Sequence, residues 1–475
     1  MAVLESIASQ ASHATLTLSP LILSSIFYMI YRTFFDPLSH IPGPLICRLT
    51  SLWAWTHSYL GDESRQIDAL HKKYGPVIRI TPNEVVFAEG EALAPIYSER
   101  GGFLKSQTYG NFDSDGHPTI FSVLDPAHRA QRSKAVMPMF STGALRSRSD
   151  AIEGCIDQFV RRLQHDIDAS RRKAKETGRS SPVNVLNLAR GLAIDAASSY
   201  LFGKSYGGCN EKTTKLSASS YVDSIRLYPP TVEEAVSQEK VDNFTMPLVQ
   251  DPPQRDLYQT RLRDAGISVE ETDVQMKDVI FAGTDTTGTN FGMLLWSLAK
   301  HPEVYRKLQA EVAEAESTDP DYNHPSLPYL EAVVKETLRT SMANPTHFPR
   351  IVPPAGWTYT SPSTGQTYHI PGGTQVGLQC WTLHFNPDVF PEPHAFKPER
   401  WLNPTKEMLR DWFPFGLGPR QCIARNLAML ELTLATRAVA RSGVMEGAKV
   451  VQEKIEVTEW FNAQIVGEKI ELVWE

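Results

Sequence analysis

The run Phe415-Gly416-Leu417-Gly418-Pro419-Arg420-Gln421-Cys422-Ile423-Ala424 sets one cysteine after a glycine-rich turn and at the head of an amphipathic helix predicted from Ile423 to about Arg441. Glycine permits backbone turns that other residues resist. A helix N-terminus offers unpaired N–H groups and the positive end of its dipole to a sulfur placed there. Such surroundings favour the thiolate, the form of cysteine that binds metal and attacks electrophiles. A lone cysteine is more often a small buried hydrophobe, so the run gains weight only from what accompanies it.

Two other runs accompany it. Ala282-Gly283-Thr284-Asp285-Thr286-Thr287 falls in a long helix that Ser268 and Glu271 open as a capping box and that runs to about Lys300, with Pro302 starting the next helix. Glycine, aspartate and threonine each lower helix propensity or demand a partner. The flanking Val279-Ile280-Phe281 and Met293-Leu294-Leu295-Trp296 nevertheless argue for burial rather than a polar kink on a surface helix. The third run, Glu336-Thr337-Leu338-Arg339, puts an acid and a base on one face of a helix predicted over Leu327 to Thr340. Alone, such a pair is usually exposed and weak.

Taken with Phe396-Lys397-Pro398-Glu399-Arg400-Trp401, these runs resemble the motifs of the cytochrome P450 superfamily in that family's order. The pattern F-x-x-G-x-R-x-C-x-[GA] is met by Phe415, Gly418, Arg420 and Cys422, with Ala424 at its last, small position. A-G-x-[DE]-T falls on 282–286, E-x-x-R on Glu336 and Arg339, and P-E-R-[FW] on 398–401. The resemblance implies haem b, iron protoporphyrin IX, with the Cys422 thiolate as axial and metal ligand, Phe415 shielding the sulfur and Gly418 turning the loop. It implies Asp285 and Thr286 as a proton relay, and Arg132, Arg350 and Arg420 as partners of the haem propionates. Glu336, Arg339 and Arg400 become a structural brace with no chemical role.

The implied reaction inserts one atom of dioxygen into a lipophilic small molecule, in secondary-metabolite biosynthesis, as a monooxygenase. Electrons come from NADPH through a cytochrome reductase, with a small haem electron carrier as a second donor. Arg129, Lys134 and Arg425 offer a basic face to an acidic reductase. Substrate contacts are expected from 101–125, 281–286, 344–348 and 461–464. Two further readings stay open. The stretch 206–266, where the family has two long roof helices, is interrupted by Pro229-Pro230, Pro247 and Pro252-Pro253, so a membrane-bound haem protein without turnover is one. A reductase-independent rearrangement enzyme is the other, and the Asp285 and Thr286 pair argues against it.

The elements that position these residues are mainly helices with small β-sheets, an α+β class that the resemblance makes a P450 fold preceded by a transmembrane helix. Helical periodicity covers Ile67 to Tyr74, Ala151 to Ile167 and Val185 to Leu201. Strands are expected at Val77 to Thr81, Val85 to Ala88, Trp357 to Thr360, Tyr368 to Ile370 and Thr374 to Leu378, and again near Lys454 to Val457 and Lys469 to Val473. Residues 14–32 are mostly apolar and without a charge up to Tyr31, near the lower end of the roughly 17 to 25 needed to cross a bilayer. They are expected to anchor the chain, with 1–13 lumenal, 33–46 a proline-rich hinge around Ile41-Pro42-Gly43-Pro44, and 47–475 the catalytic domain. By the resemblance this is a single-pass protein of the endoplasmic reticulum membrane facing the cytosol. The chain is 475 residues long, 41% hydrophobic and 21% charged, with a net charge of -7. That balance gives no case for nucleic acid. Five cysteines without CxxC spacing exclude a disulfide scaffold and a zinc site.

Overall fold

A computed structural model describes residues 20, 22–212, 215–223, 231–318 and 327–474. It divides into two units: residues up to 104 with His347–Thr382, and Lys105–Thr346 with residues from 383 onward.

The first unit is built on a sheet. Val77–Thr81 pairs antiparallel with Glu84–Phe87, which runs parallel to Gln375–Leu378, and the latter is antiparallel to Arg350–Ile351. The first two strands are buried at every position, which is why they read as apolar runs rather than as an alternation. Helix α1 (Leu52–Leu60) and helix α2 (Glu63–Tyr74) precede them, α2 starting four residues before the apolar periodicity does. Arg79 is wholly buried in its strand and pairs with Asp36 at 3.2 Å, while its N–H donates to the Pro42 carbonyl at 2.8 Å. A side chain at Gly43 would put its Cβ 2.4 Å from the Arg79 carbonyl oxygen. The proline-glycine segment expected as a hinge is therefore docked on the sheet edge. Residues 22–30 are helical, with Ile22, Leu23, Ile26 and Phe27 exposed. Among the described residues no helix is long and apolar enough to cross a membrane; positions 1–19 and 21, including the first part of the expected anchor, lie outside them.

The second unit is mostly helical: α3 (Pro126–Val136), α4 (Asp150–Thr177), α5 (Val185–Phe202), α6 (Val232–Gln250), α7 (Tyr258–Asp264), α8 (Val269–Lys300), α9 (Pro302–Thr318), α10 (Pro328–Ser341) and α11 (Arg425–Ser442). Helix α8 is its axis, packed by α5, α6, α10 and α11. Helix α5 crowds Gly288, where a Cβ would stand 2.7 Å from the Arg190 Cα. Ser268 caps α8 as expected, its Oγ accepting the Glu271 N–H at 3.1 Å. The reciprocal half of the box is absent, because the Glu271 carboxylate turns to Arg132 instead.

Two expectations are corrected. Helix α6 runs nineteen residues through Pro247, opened by a full capping box of Thr231 and Glu234. Its buried face carries Ser237 and Thr245 beside Val241, Leu248 and Val249, so hydrophobic periodicity is muted and this helix went unread. Pro229 and Pro230 lie outside the described residues. Near the C-terminus the strand begins at Val457, and its hairpin partner Ala463–Ile465 went unread. A small sheet sets Glu471–Trp474 between Val183–Asn184 and Ala448–Val450.

Glu431 on α11 is buried and its Oε1 has no hydrogen-bond partner among the described residues; burial pushes its carboxyl up to about 8. The folded chain thus keeps a proton that the unfolded chain releases above about 4.5, and stability falls as pH rises between those values. Glu431→Gln should be stabilising by an amount that grows over this window, up to roughly 1 kcal/mol per pH unit. Urea unfolding at pH 6 and pH 8 checks this; a difference independent of pH would contradict it.

Candidate active site

Cys422 stands three residues before α11, not on its first turn: Ala424 is the N-cap, and the Arg425 N–H is taken by the Cys422 carbonyl at 3.3 Å. The loop before it needs its glycines, since Gly416 (φ 68°) and Gly418 (φ 74°) are both left-handed. Backbone bonds tie the loop to itself: Cys422 N to the Phe415 oxygen at 2.8 Å, Gly416 N to Phe413 at 2.9 Å and Gln421 N to Gly418 at 3.0 Å. Phe415 packs against Trp412 with ring centres 6.3 Å apart. Cys422 is the exposed cysteine of the five; the others are buried. Although the sulfur reaches the surface, the protein packed around it pushes its thiol up, with the Ala424 N–H and the Arg425 charge opposing. A bound metal displaces the proton of a coordinating thiol, so an iron held here would keep the sulfur as thiolate.

The brace is complete. Arg339 meets Glu336 through two bonds of 2.8 Å, both side chains fully buried. Arg400 Nε at 3.2 Å, Trp401 Nε1 at 2.9 Å and the Lys397 N–H at 2.9 Å add three more donors to the same carboxylate. Arg339 also donates to the carbonyls of His384 and Pro393 at 2.8 and 2.7 Å. His384, which sequence reasoning missed, carries the brace to the loop: its Nδ1 meets the Arg339 carbonyl at 3.3 Å and its Nε2 accepts the Phe413 N–H at 3.2 Å. Burial first, and then the Arg339 charge, push it down to about 3, so it is a neutral ring able to donate at one nitrogen and accept at the other.

On α8 the expected relay divides between two faces. Thr286 is partly exposed beside Ala282 and Gly283, and its hydroxyl donates to the Ala282 carbonyl at 2.7 Å. Asp285 is buried against α5, where Arg190 Nη2 donates to its Oδ1 at 2.5 Å and Thr289 reaches it at 3.4 Å. Arg190 was also missed. Its signal was a charge inside Leu188-Ala189-Arg190-Gly191-Leu192-Ala193-Ile194, since a helix buried all round admits a guanidinium only with a partner.

The three arginines assigned to propionates stand differently. Arg420 donates to the carbonyls of Val123 and Leu124 at 2.8 and 3.0 Å, tying the cysteine loop to the approach to α3. Arg132 is engaged by the Glu271 carboxylate and the His128 carbonyl, so it enters the site as a neutralised pair. Burial opposes ionisation of Glu271, but Arg132 outweighs it and holds that carboxyl below its usual range. Arg350 lies in the first unit, over the Tyr97 ring at 5.0 Å.

Two of the expected substrate segments are brought together. Tyr109, Phe112 and Phe121 of the 101–125 loop cluster with Phe461, whose ring centre is 4.8 Å from Phe112 and 5.4 Å from Phe121. Asn344 fixes the Phe461 turn, donating to the Phe461 carbonyl at 3.0 Å and to Asn462 at 2.7 Å. Buried Lys277 of α8 gathers Asp115 of that loop and Asp242 of α6, both at 2.8 Å, with Asp273 at 3.0 Å.

This donor set fits haem. Among the described residues no group of three or more His, Cys, Asp or Glu could hold a bare metal ion. One accessible sulfur suits an iron whose other ligands would be supplied by a macrocycle. The comparisons agree. The model of the family described as cytochrome P450 matches residues 231–442. A protein of Annulohypoxylon moriforme named cytochrome P450 monooxygenase mfmF is 36% identical, over 94% of this chain and 97% of its own length. Cytochrome P450 monooxygenase orf2 of Aspergillus niger is 27% identical over 88% of each chain, and tazI of Aspergillus terreus, named likewise, is 29% identical over 88% of each.

Arg190→Leu should leave Asp285 as an uncompensated buried charge and cost about 3–5 kcal/mol in urea unfolding, most of which Arg190→Leu with Asp285→Leu recovers. Equal loss in the single and double variants would contradict the pairing.

Proposed function

Because this chain belongs to the cytochrome P450 family and is a haem-thiolate monooxygenase, we propose that it transfers one atom of dioxygen to a lipophilic small molecule of secondary metabolism. The observation that carries this reading is the single exposed cysteine at the end of a loop whose two glycines are held left-handed. When bound, haem supplies dioxygen binding and its reductive activation. Cys422 Sγ would hold it, Phe415 and Trp412 cover the loop, and Arg420 keeps that loop against Val123 and Leu124.

Thr286 presents a hydroxyl on the open face of α8 and can exchange its Ala282 acceptor for a water or a substrate-side oxygen, which places a proton there. Asp285, held by Arg190, is the neighbouring carboxylate of the proposed relay. The aromatic group of Tyr109, Phe112, Phe121 and Phe461 excludes water and suits an apolar molecule. NADPH would supply electrons through a reductase docking near exposed Lys134 and Arg425. The exposed apolar residues of 22–30 suit contact with a membrane surface; that the membrane is the endoplasmic reticulum's, with the catalytic part facing the cytosol, rests on the family resemblance alone. The long α6 speaks against the reading without turnover, which rested on a shortened roof.

The reduced protein with carbon monoxide should give the thiolate-type difference band, and Cys422→Ser should lose it while its helical content stays; a normal band in that variant would refute the ligand. Thr286→Ala should keep the band and divert electrons from product to peroxide. Full coupling in that variant would remove the relay role.

A further inference from the structure

The second unit holds a cavity of about 190 Å³ against the first turn of α5, bounded also by Lys215, Ser219 and the turn 467–469. Seven of its nine lining residues are polar or charged, whereas pockets for lipophilic molecules are lined mainly by apolar and aromatic side chains. It is therefore not built for the lipophilic substrate. Its room is about tenfold what a single water needs, enough for a polyatomic ion with part of its hydration.

The donors around it are unspent. Ser219 is 1% exposed and its hydroxyl has no hydrogen-bond partner among the described residues; a hydroxyl buried in this way is unfavourable unless something bonds to it. The Asn187 carboxamide oxygen accepts the Leu216 N–H at 2.6 Å, which leaves its amide N–H groups to donate. Lys469 is tied to Glu471 at 2.8 Å, but its side chain is half exposed, and such pairs are worth little.

Charge in the lining favours an anion. Arg190, Lys215 and Lys469 face one carboxylate, that of Glu468, and Lys215 neutralises it at 3.0 Å while also reaching Glu233 of α6 at 3.2 Å. Arg190 is committed to Asp285. The N–H groups of Val185 and Leu186 are taken by the Ile470 carbonyl and the Asn184 side chain, so the end of α5 contributes the positive field of its dipole.

We propose that this cavity binds a small oxyanion, phosphate, through Ser219, Asn187 and Lys469 at the N-terminus of α5. A cation would meet three positive groups, and an apolar group would leave the buried donors unfilled. A tetrahedral oxyanion has acceptors enough for donors arriving from several sides. The site shares Arg190 with the Asp285 pair and goes beyond the haem-thiolate reading. Its test needs no turnover, so its failure leaves that reading untouched.

The haem-loaded full chain is titrated with inorganic phosphate by calorimetry, chloride being withdrawn to hold ionic strength constant. Wild type should bind one phosphate with a Kd of about 1 mM or tighter. Ser219→Ala should weaken binding about tenfold, as a hydrogen bond to a charged group is worth. Lys469→Gln should also weaken it, and Lys72→Gln, an exposed lysine of α2, should not. Glycerol 3-phosphate separates two sources of the anion, tighter binding assigning the site to a phosphate ester and weaker binding to the free ion. No saturation at about 10 mM phosphate, wild-type affinity in Ser219→Ala, or equal weakening in Lys72→Gln overturns the proposal.

Discussion

The Glu336 carboxylate is the constraint on which the cysteine side of the molecule depends. It is fully buried and accepts from Arg339 twice, from Arg400, from Trp401 and from the Lys397 backbone. An anion in such a place is tolerable only when its lone pairs are filled. Once they are, segments far apart in the chain are fixed to one point. Arg339 then extends the network to His384, and His384 to the backbone of Phe413, two residues ahead of Phe415. A thiolate ligand needs its sulfur held at one position, and this chain of bonds fixes the loop that carries it without any chemical role of its own.

The other side of the site uses the same device. Arg190 and Asp285 are a second buried pair, joining α5 to α8 where Gly288 lets the helices touch. Because Asp285 is committed to that pair, the neighbouring Thr286 is left on the open face with Ala282 and Gly283. The division between a fixed carboxylate and a movable hydroxyl follows from helical geometry, since adjacent residues lie about 100° apart around the axis.

The sequence made the residue types at the site legible because their spacing is local: Cys422 with its glycines, the 282–287 run, and Glu336 with Arg339 each fall within a few positions. The long elements were legible where burial is one-sided or flanks are apolar, as in α4 and α8. Partners were not. Arg190 is 95 positions from Asp285, and nothing local says whether Glu271 returns to its cap or reaches Arg132. Helix α6 was obscured because serine and threonine occupy its buried face.

The most direct test of this account is hydrogen exchange of the Phe413 to Ala424 segment in Glu336→Gln, measured by mass spectrometry on the haem-loaded protein. The variant should show faster exchange at the Gly416 and Cys422 amides and a reduced fraction of thiolate-ligated haem, with α5 and α8 as protected as before. Loop amides exchanging at the wild-type rate, or a uniform loss of protection across both helices, would contradict the claim that Glu336 holds the cysteine loop.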